Sequence, residues 1–369
     1  MLSHATVAAV AALFAAAAPA QKAESVSFEQ VVKQAGEARD QNRLEDAARL
    51  YREALRIKPG WPEGWWFLGT LLYDQDRFPE CSDALGRLID LKPEMGLGQA
   101  LLGLCEFNIQ RYASALRHLL EAERLGFGGE QQLQQVAVYH AALACILLQD
   151  YEHAREQLIR LVQSTDVPPD VYLAAGMAAL RRPLLPPQIP DSDRDLAAQL
   201  GHAVVFELER HPEEAARAYE AVLAVYPKAP GVHYTYGSFL LSSDPDKALA
   251  ALKQELEIDP DHVPALATIA GEYLKREDAA SARPYAEKAA RLAPGDFAAR
   301  TAYGRTLLQL DDVEGAIREL ETAVKLAPDS PHARFALAAA YTRAGRKEDA
   351  ETERNAFKRL QKLIDSEKN

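Results

Sequence analysis

Cysteine is scarce, and the three that occur, Cys81, Cys105 and Cys145, form no CxxC pair. That spacing excludes a zinc ribbon, a thioredoxin-type redox motif and a disulfide framework. Basic charge is also short. Lys and Arg number 42 against 54 Asp and Glu, for a net charge of −12. Phosphate binding needs a basic face, so nucleic acid is not an expected partner. The acidic excess lies in the first 260 residues, because residues 261–369 are balanced.

Signatures of catalysis are missing as well. The chain has no HExxH, no GxSxG, no Walker loop and no Rossmann fingerprint, and Gly96-x-Gly98 has no strand pattern before it. Asp191, Asp193 and Asp195 imitate the start of a calcium loop. Leu196 stands where that loop needs its sixth-position glycine and His202 where it needs the closing glutamate, so these carboxylates read as the start of a helix. The nine histidines are not paired at metal-ligand spacing. No enzyme activity, cofactor or metal is therefore expected. Cys81, Cys105 and Cys145 read as buried, unreactive thiols. If the compartment is oxidising, Cys105–Cys145 is the bridge to consider.

Long apolar runs are absent except for one. Ala5 to Ala18 is almost wholly Ala, Val, Leu and Phe and ends in Ala18-Pro19-Ala20. Its length as a helix is about 21 Å, short of the roughly 30 Å needed to cross a bilayer. Residues 1–20 are therefore expected to be a secretory signal cut after Ala20, although no Lys or Arg precedes the apolar stretch. The expected protein is exported, periplasmic or secreted, with no integral membrane segment after signal removal.

What the chain does have is a period. Pro59 and Pro93 are 34 residues apart, and Pro227, Pro260, Pro294 and Pro328 follow one another at 33 or 34. Residue types recur inside each period: Trp65-x-x-Leu68-Gly69 is followed by Ala84, Leu85 and Leu88, and Tyr303-Gly304-x-x-Leu307 by Ala316, Leu320 and Ala323. These residues resemble the tetratricopeptide repeat (TPR). The resemblance implies helical hairpins of 34 residues, with small side chains at positions 8, 20 and 27 and large apolar ones at 4, 7, 11 and 24. Units starting at Phe28, Pro62, Gly96, Gln135, Pro169, Leu196, Pro230, Val263, Phe297 and Pro331 all carry Gly or Ala at position 8. Close helix crossings need such residues.

Two places break the period. Gly126, Gly128 and Gly129 mark a longer turn, and Pro183, Pro186, Pro187 and Pro190 stand where the unit at Pro169 needs its second helix. The expected fold is thus an all-α solenoid of about ten TPR-like hairpins, one lacking its second helix. Its blocks are residues 28–182 and 196–369, joined by an extended Pro-rich strap at 183–195, and a charged capping helix closes the chain.

In the TPR family the concave face is lined by positions 2, 5, 9, 12 and 13 of each first helix. The resemblance puts Trp66, Tyr73, Leu97, Leu104, Phe107, Tyr139, Leu143, Ile146, Leu147, Leu173, Met177 and Leu180 there in the middle units. In the later ones it puts Lys275, Arg305, Gln309, Thr342 and Arg343 there. The carboxylate-clamp branch uses Lys and Asn at positions 5 and 9 of its first unit. Val32 and Gly36 occupy them here, so chaperone-tail binding is not implied.

Helices apolar on every side are either buried or covered by a partner. The expected function is a non-enzymatic scaffold that binds a protein or peptide segment, with Trp66, Tyr73, Phe107, Tyr139, Leu143, Ile146 and Met177 as the primary strip and Arg305 and Arg343 as a polar groove. Competing readings are a carrier of lipid or another hydrophobic small molecule, and an accessory subunit of an envelope enzyme. The strip has two competing coverings as well: the strap through Leu184, Leu185 and Ile189, or a second chain in a homodimer.

Overall fold

The computed structural model describes residues 26–162 and 167–367, so the expected leader at 1–20 lies outside the described residues. Among these there are nineteen α-helices and no strand. They run α1 (Val26–Asp40), α2 (Leu44–Ile57), α3 (Pro62–Asp74), α4 (Phe78–Leu91), α5 (Gly96–Asn108), α6 (Tyr112–Leu125), α7 (Gln131–Leu147), α8 (Tyr151–Val162), α9 (Pro169–Ala179) and α10 (Asp191–Leu208). Then come α11 (Pro212–Val225), α12 (Val232–Leu240), α13 (Pro245–Ile258), α14 (Val263–Lys275), α15 (Ala279–Leu292), α16 (Phe297–Gln309), α17 (Val313–Leu326), α18 (Pro331–Arg343) and α19 (Lys347–Glu367). They form two compact units, one ending at Ala218 and the other beginning at Tyr219, inside α11. In the first, α1 packs on α2, α3 on α4, α5 on α6 and α7 on α8; in the second, α12 packs on α13, α14 on α15, α16 on α17 and α18 on α19.

First helices end in a shared way. In α1 the Asn42 amide donates to Arg39 O at 2.9 Å and the Arg43 amide to Ala38 O at 2.8 Å, with Asn42 at φ 56°. This is the Schellman termination, which satisfies carbonyls the helix leaves open. It recurs at Asp76, Gln110, Gln149, Arg181, Arg210, Glu277, Asp311 and Gly345, each with positive φ. Only the last is glycine, so the motif could not be read from composition.

Hairpin crossings explain the small residue at position 8. A Cβ added to Gly69, Gly103 or Gly304 would lie 2.5 to 2.7 Å from the fully buried Leu85, Leu119 or Leu320. The glycine thus makes room for the large residue at position 24. For Gly304 the nearest neighbour is Leu320 rather than Ala316, which offers its carbonyl at 3.3 Å.

Position 4 departs from the family pattern. It is Gln99, Arg300 and Arg334 in three units, and like the ring N–H of the conforming Trp65 these side chains donate to the proline carbonyl that ends the preceding repeat: Trp65 Nε1 to Pro59 O at 2.7 Å, Gln99 Nε2 to Pro93 O at 2.9 Å, Arg300 Nε to Pro294 O at 3.0 Å and Arg334 Nε to Pro328 O at 2.7 Å. The two arginines also reach Glu319 at 2.6 Å and Glu353 at 2.7 Å. A carbonyl left open at a helix end gains a donor from the next repeat, which ties neighbours together.

The Pro-rich segment is not simply extended. A 3-10 turn at Pro186–Gln188 lies within it, Pro186 and Ile189 are buried, and Leu184 and Leu185 are half-buried. Arg182 pairs with Asp193, and Arg194 Nη1 donates to Pro186 O at 3.2 Å, so both ends are fastened. The turn brings α10 back onto α9, where the two backbones nearly touch. A Cβ on Gly176 would lie 2.0 Å from Ala197 O and one on Gly201 1.8 Å from Tyr172 O.

The cysteines differ from expectation. Cys81 is bridged to Cys105, with Cα atoms 6.1 Å apart, while Cys145 is the free thiol. Position 20 of one unit and position 10 of the next meet where α4 packs on α5. Burial pushes the Cys145 thiol up to about 12, so it is held as an unreactive thiol.

Candidate functional site

The expected apolar strip is largely interior. Ile146 and Met177 are fully enclosed, and Trp66, Phe107 and Leu143 are each less than a tenth exposed. Tyr73 and Tyr139 are half-buried. In α5 every residue from Gly96 to Phe107 is buried, because α4 and α6 cover its outer sides and α3 and α7 flank it. Burial between neighbouring first helices is thus what its all-round apolar character serves.

Local partners complete the strip's aromatics. Tyr73 meets Phe78 edge-on at 5.8 Å, and Phe107 meets Tyr112 at 5.3 Å and His140 at 4.9 Å. Burial raises the Tyr73 hydroxyl to about 12, helped by Asp74 and Asp76. It raises Tyr139 too, with Asp170 adding to the effect. Enclosed side chains of this kind contribute packing rather than a surface, and the hydrophobic-carrier reading loses its apolar face with them.

The polar candidates fare differently. Arg305 on α16 is exposed and forms no ion pair among the described residues. Arg343 is committed: its guanidinium donates to Leu308 O at 2.5 Å and pairs with Asp311 at 2.8 Å, bracing α18 against the end of α16. Gln309, one repeat earlier, makes the same brace to Leu274 O at 3.2 Å. Arg343 is therefore a strut.

Arg305 borders a groove of about 490 Å³ between α16, α18 and α19, with Leu308, Gln309, His332, Phe335 and Phe357. Phe335 is 62% exposed, and its ring stands 5.5 Å from that of Phe357. Phe335 and His332 hold positions 5 and 2 of their unit, which belong to the same set of groove positions as position 9, held by Arg305. In the sequence alone, a lone phenylalanine in an alanine-rich helix looks like core. Phe357 had no such signal, since position 27 of a second helix ordinarily faces a following repeat. The groove offers an apolar ring surface, an open guanidinium and an exposed imidazole. That set suits an extended peptide with one large apolar side chain and a carboxylate.

Residues 195–363 match the family described as the middle TPR-like domain of cilia and flagella-associated protein 70, and residues 32–80 match a tetratricopeptide repeat family. No curated protein matches the chain. Among solved structures, MamA from residue 41 onward of Desulfovibrio magneticus RS-1 is 22% identical, covering 47% of this chain and 97% of its own, with a TM-score of 0.39. A MamA RS-1 double mutant is also 22% identical, covering 46% and 97%, at 0.41. With hairpins repeating at the 34-residue period, small residues at their crossings and tetratricopeptide matches toward both ends, the chain is a tetratricopeptide-repeat protein.

Proposed function

We propose that this protein is a non-enzymatic scaffold that holds an extended segment of a protein partner in the groove between α16, α18 and α19. The carrying observation is the pairing of a 62% exposed Phe335 with the open guanidinium of Arg305 on one concave surface. An aromatic platform beside an unpaired cation costs solubility unless a ligand uses it, and such anchors supply most of the energy in small interfaces. Peptides selected from a random display library are expected to share an aromatic or long aliphatic residue near Asp, Glu or a free carboxyl terminus. Phe335→Ala and Arg305→Glu should each weaken their binding by about tenfold to a hundredfold in fluorescence anisotropy. Unchanged affinity in both variants would reject this groove.

Export is part of the same proposal. It rests on the apolar leader at residues 5–18 and on the Cys81–Cys105 bridge, which belongs in an oxidising compartment. The intact mass of native material is expected to begin at Gln21 and to be lighter by two hydrogens than the reduced chain. A mass that begins at Met1 with three free thiols would exclude it.

A further inference from the structure

In the other unit a cavity of about 580 Å³ opens between α4, α5 and α6. Glu106, only 7% exposed, is among the residues that line it. Glu106 Oε1 accepts the Ser114 hydroxyl at 2.8 Å. Its Oε2 is buried and accepts no hydrogen bond among the described residues. His118, from α6, brings Nε2 to 3.7 Å from that oxygen.

Neighbouring groups set the protonation of the ring. Gln99, itself buried, donates Nε2 to Pro93 O at 2.9 Å, so its Oε1 is the atom that meets His118 Nδ1 at 2.7 Å. The reverse amide orientation would set oxygen against the Pro93 carbonyl. His118 Nδ1 therefore carries the hydrogen, and in the neutral ring Nε2 presents a lone pair. Two acceptors then face each other across 3.7 Å, and both require a donor.

A primary ammonium can meet both. Its nitrogen can stand about 2.8 Å from each acceptor, with a separate N–H for each. A structural zinc site takes four protein ligands, and no group of three or more His, Cys, Asp or Glu suited to a metal gathers among the described residues. Around the cavity, Asp83, Asp90 and Glu106 together balance Arg87, Arg111 and Arg117. We propose that this cavity binds a primary alkylammonium group, with its nitrogen bridging Glu106 Oε2 and His118 Nε2. The ammonium can belong to a free amine or to a lysine side chain, and it reaches a site independent of the groove around Phe335.

The test uses the full chain with His118 followed by NMR. Titration with n-butylamine should shift the His118 ring resonances saturably, while n-butyltrimethylammonium, equally charged but without N–H, should not. Nα-acetyl-lysine methylamide binding tighter than n-butylamine identifies a lysine side chain as the source, and the reverse order a free amine.

Acidification gives a second readout that needs no variant. Burial lowers the His118 pKa from 6.5, against the opposing pull of Glu106 and Glu121 and with Arg117 assisting. The ring is neutral at pH 7. Once protonated it donates Nε2–H to Glu106 itself, so amine affinity should fall on acidification. Glu106→Gln, which puts an amide donor into the gap, should weaken binding about tenfold or more. Equal binding of the trimethylated probe, an affinity flat from pH 5 to 8, or no shift with either amine would overturn the proposal.

Discussion

Gly201→Ala is expected to cost about 3 kcal/mol or more and to open the α9–α10 pair. The new Cβ would sit 1.8 Å from the Tyr172 carbonyl oxygen, and a backbone atom in a packed helix cannot rotate aside as a side chain can. Gly304→Ala provides the comparison, because its Cβ would meet Leu320 at 2.6 Å, where a rotamer change absorbs part of the strain. Its cost should be about 1–2 kcal/mol. Hydrogen exchange should speed up across α9 and α10 in the Gly201 variant and stay unchanged in α16 to α19, since repeats contact only their neighbours. Equal loosening in both places, or a Gly201 variant as stable as wild type, would refute the backbone contact.

Glu255→Ala should be nearly as damaging, at about 3 kcal/mol in urea unfolding. Glu255 is fully buried on α13, and its carboxylate accepts the Gly231 amide at 2.7 Å and the Tyr234 amide at 3.1 Å. Those amides open α12, where helix N–H groups lack partners of their own and the dipole favours a negative charge. Alanine strands both amides in the interior. Glu255→Gln keeps the shape and one acceptor, so it should fall between alanine and wild type. Exchange at Gly231 and Tyr234 is the local measurement, and full protection of both in the alanine variant would disprove the cap.

Much of the fold was legible because repetition averages out local ambiguity. A single Gly304 says little, whereas a small residue at the eighth position of every unit requires close crossings throughout. The proline cluster at 183–190 was legible for a similar reason, since helix interiors reject that density of prolines. The same residues could not say that the segment turns at Pro186–Gln188 and lays α10 on α9. Gly201, the residue that permits this contact, lies at position 6 of its unit, where the repeat pattern makes no demand.

Sites were less legible than helices. An apolar side chain at a groove position looks the same in sequence whether a ligand or the next first helix covers it, so Trp66, Ile146 and Met177 pointed to a surface and proved to be interior. Arg305 and Arg343 hold neighbouring groove positions in successive units, yet one is open and the other is braced on Leu308 and Asp311. The difference depends on what lies 32 to 35 residues away.

By itself the sequence determined the period, the all-α class, the hairpin crossings and the place where a second helix is missing. These follow from backbone sterics and side-chain size, which act over a few residues and recur in every unit. Tertiary structure alone decided the Cys81–Cys105 pairing, the Glu255 cap, the facing acceptors of Glu106 and His118, and the exposure of Phe335. Each depends on distances between helices that are adjacent in space, and such distances are fixed only when the repeats stack.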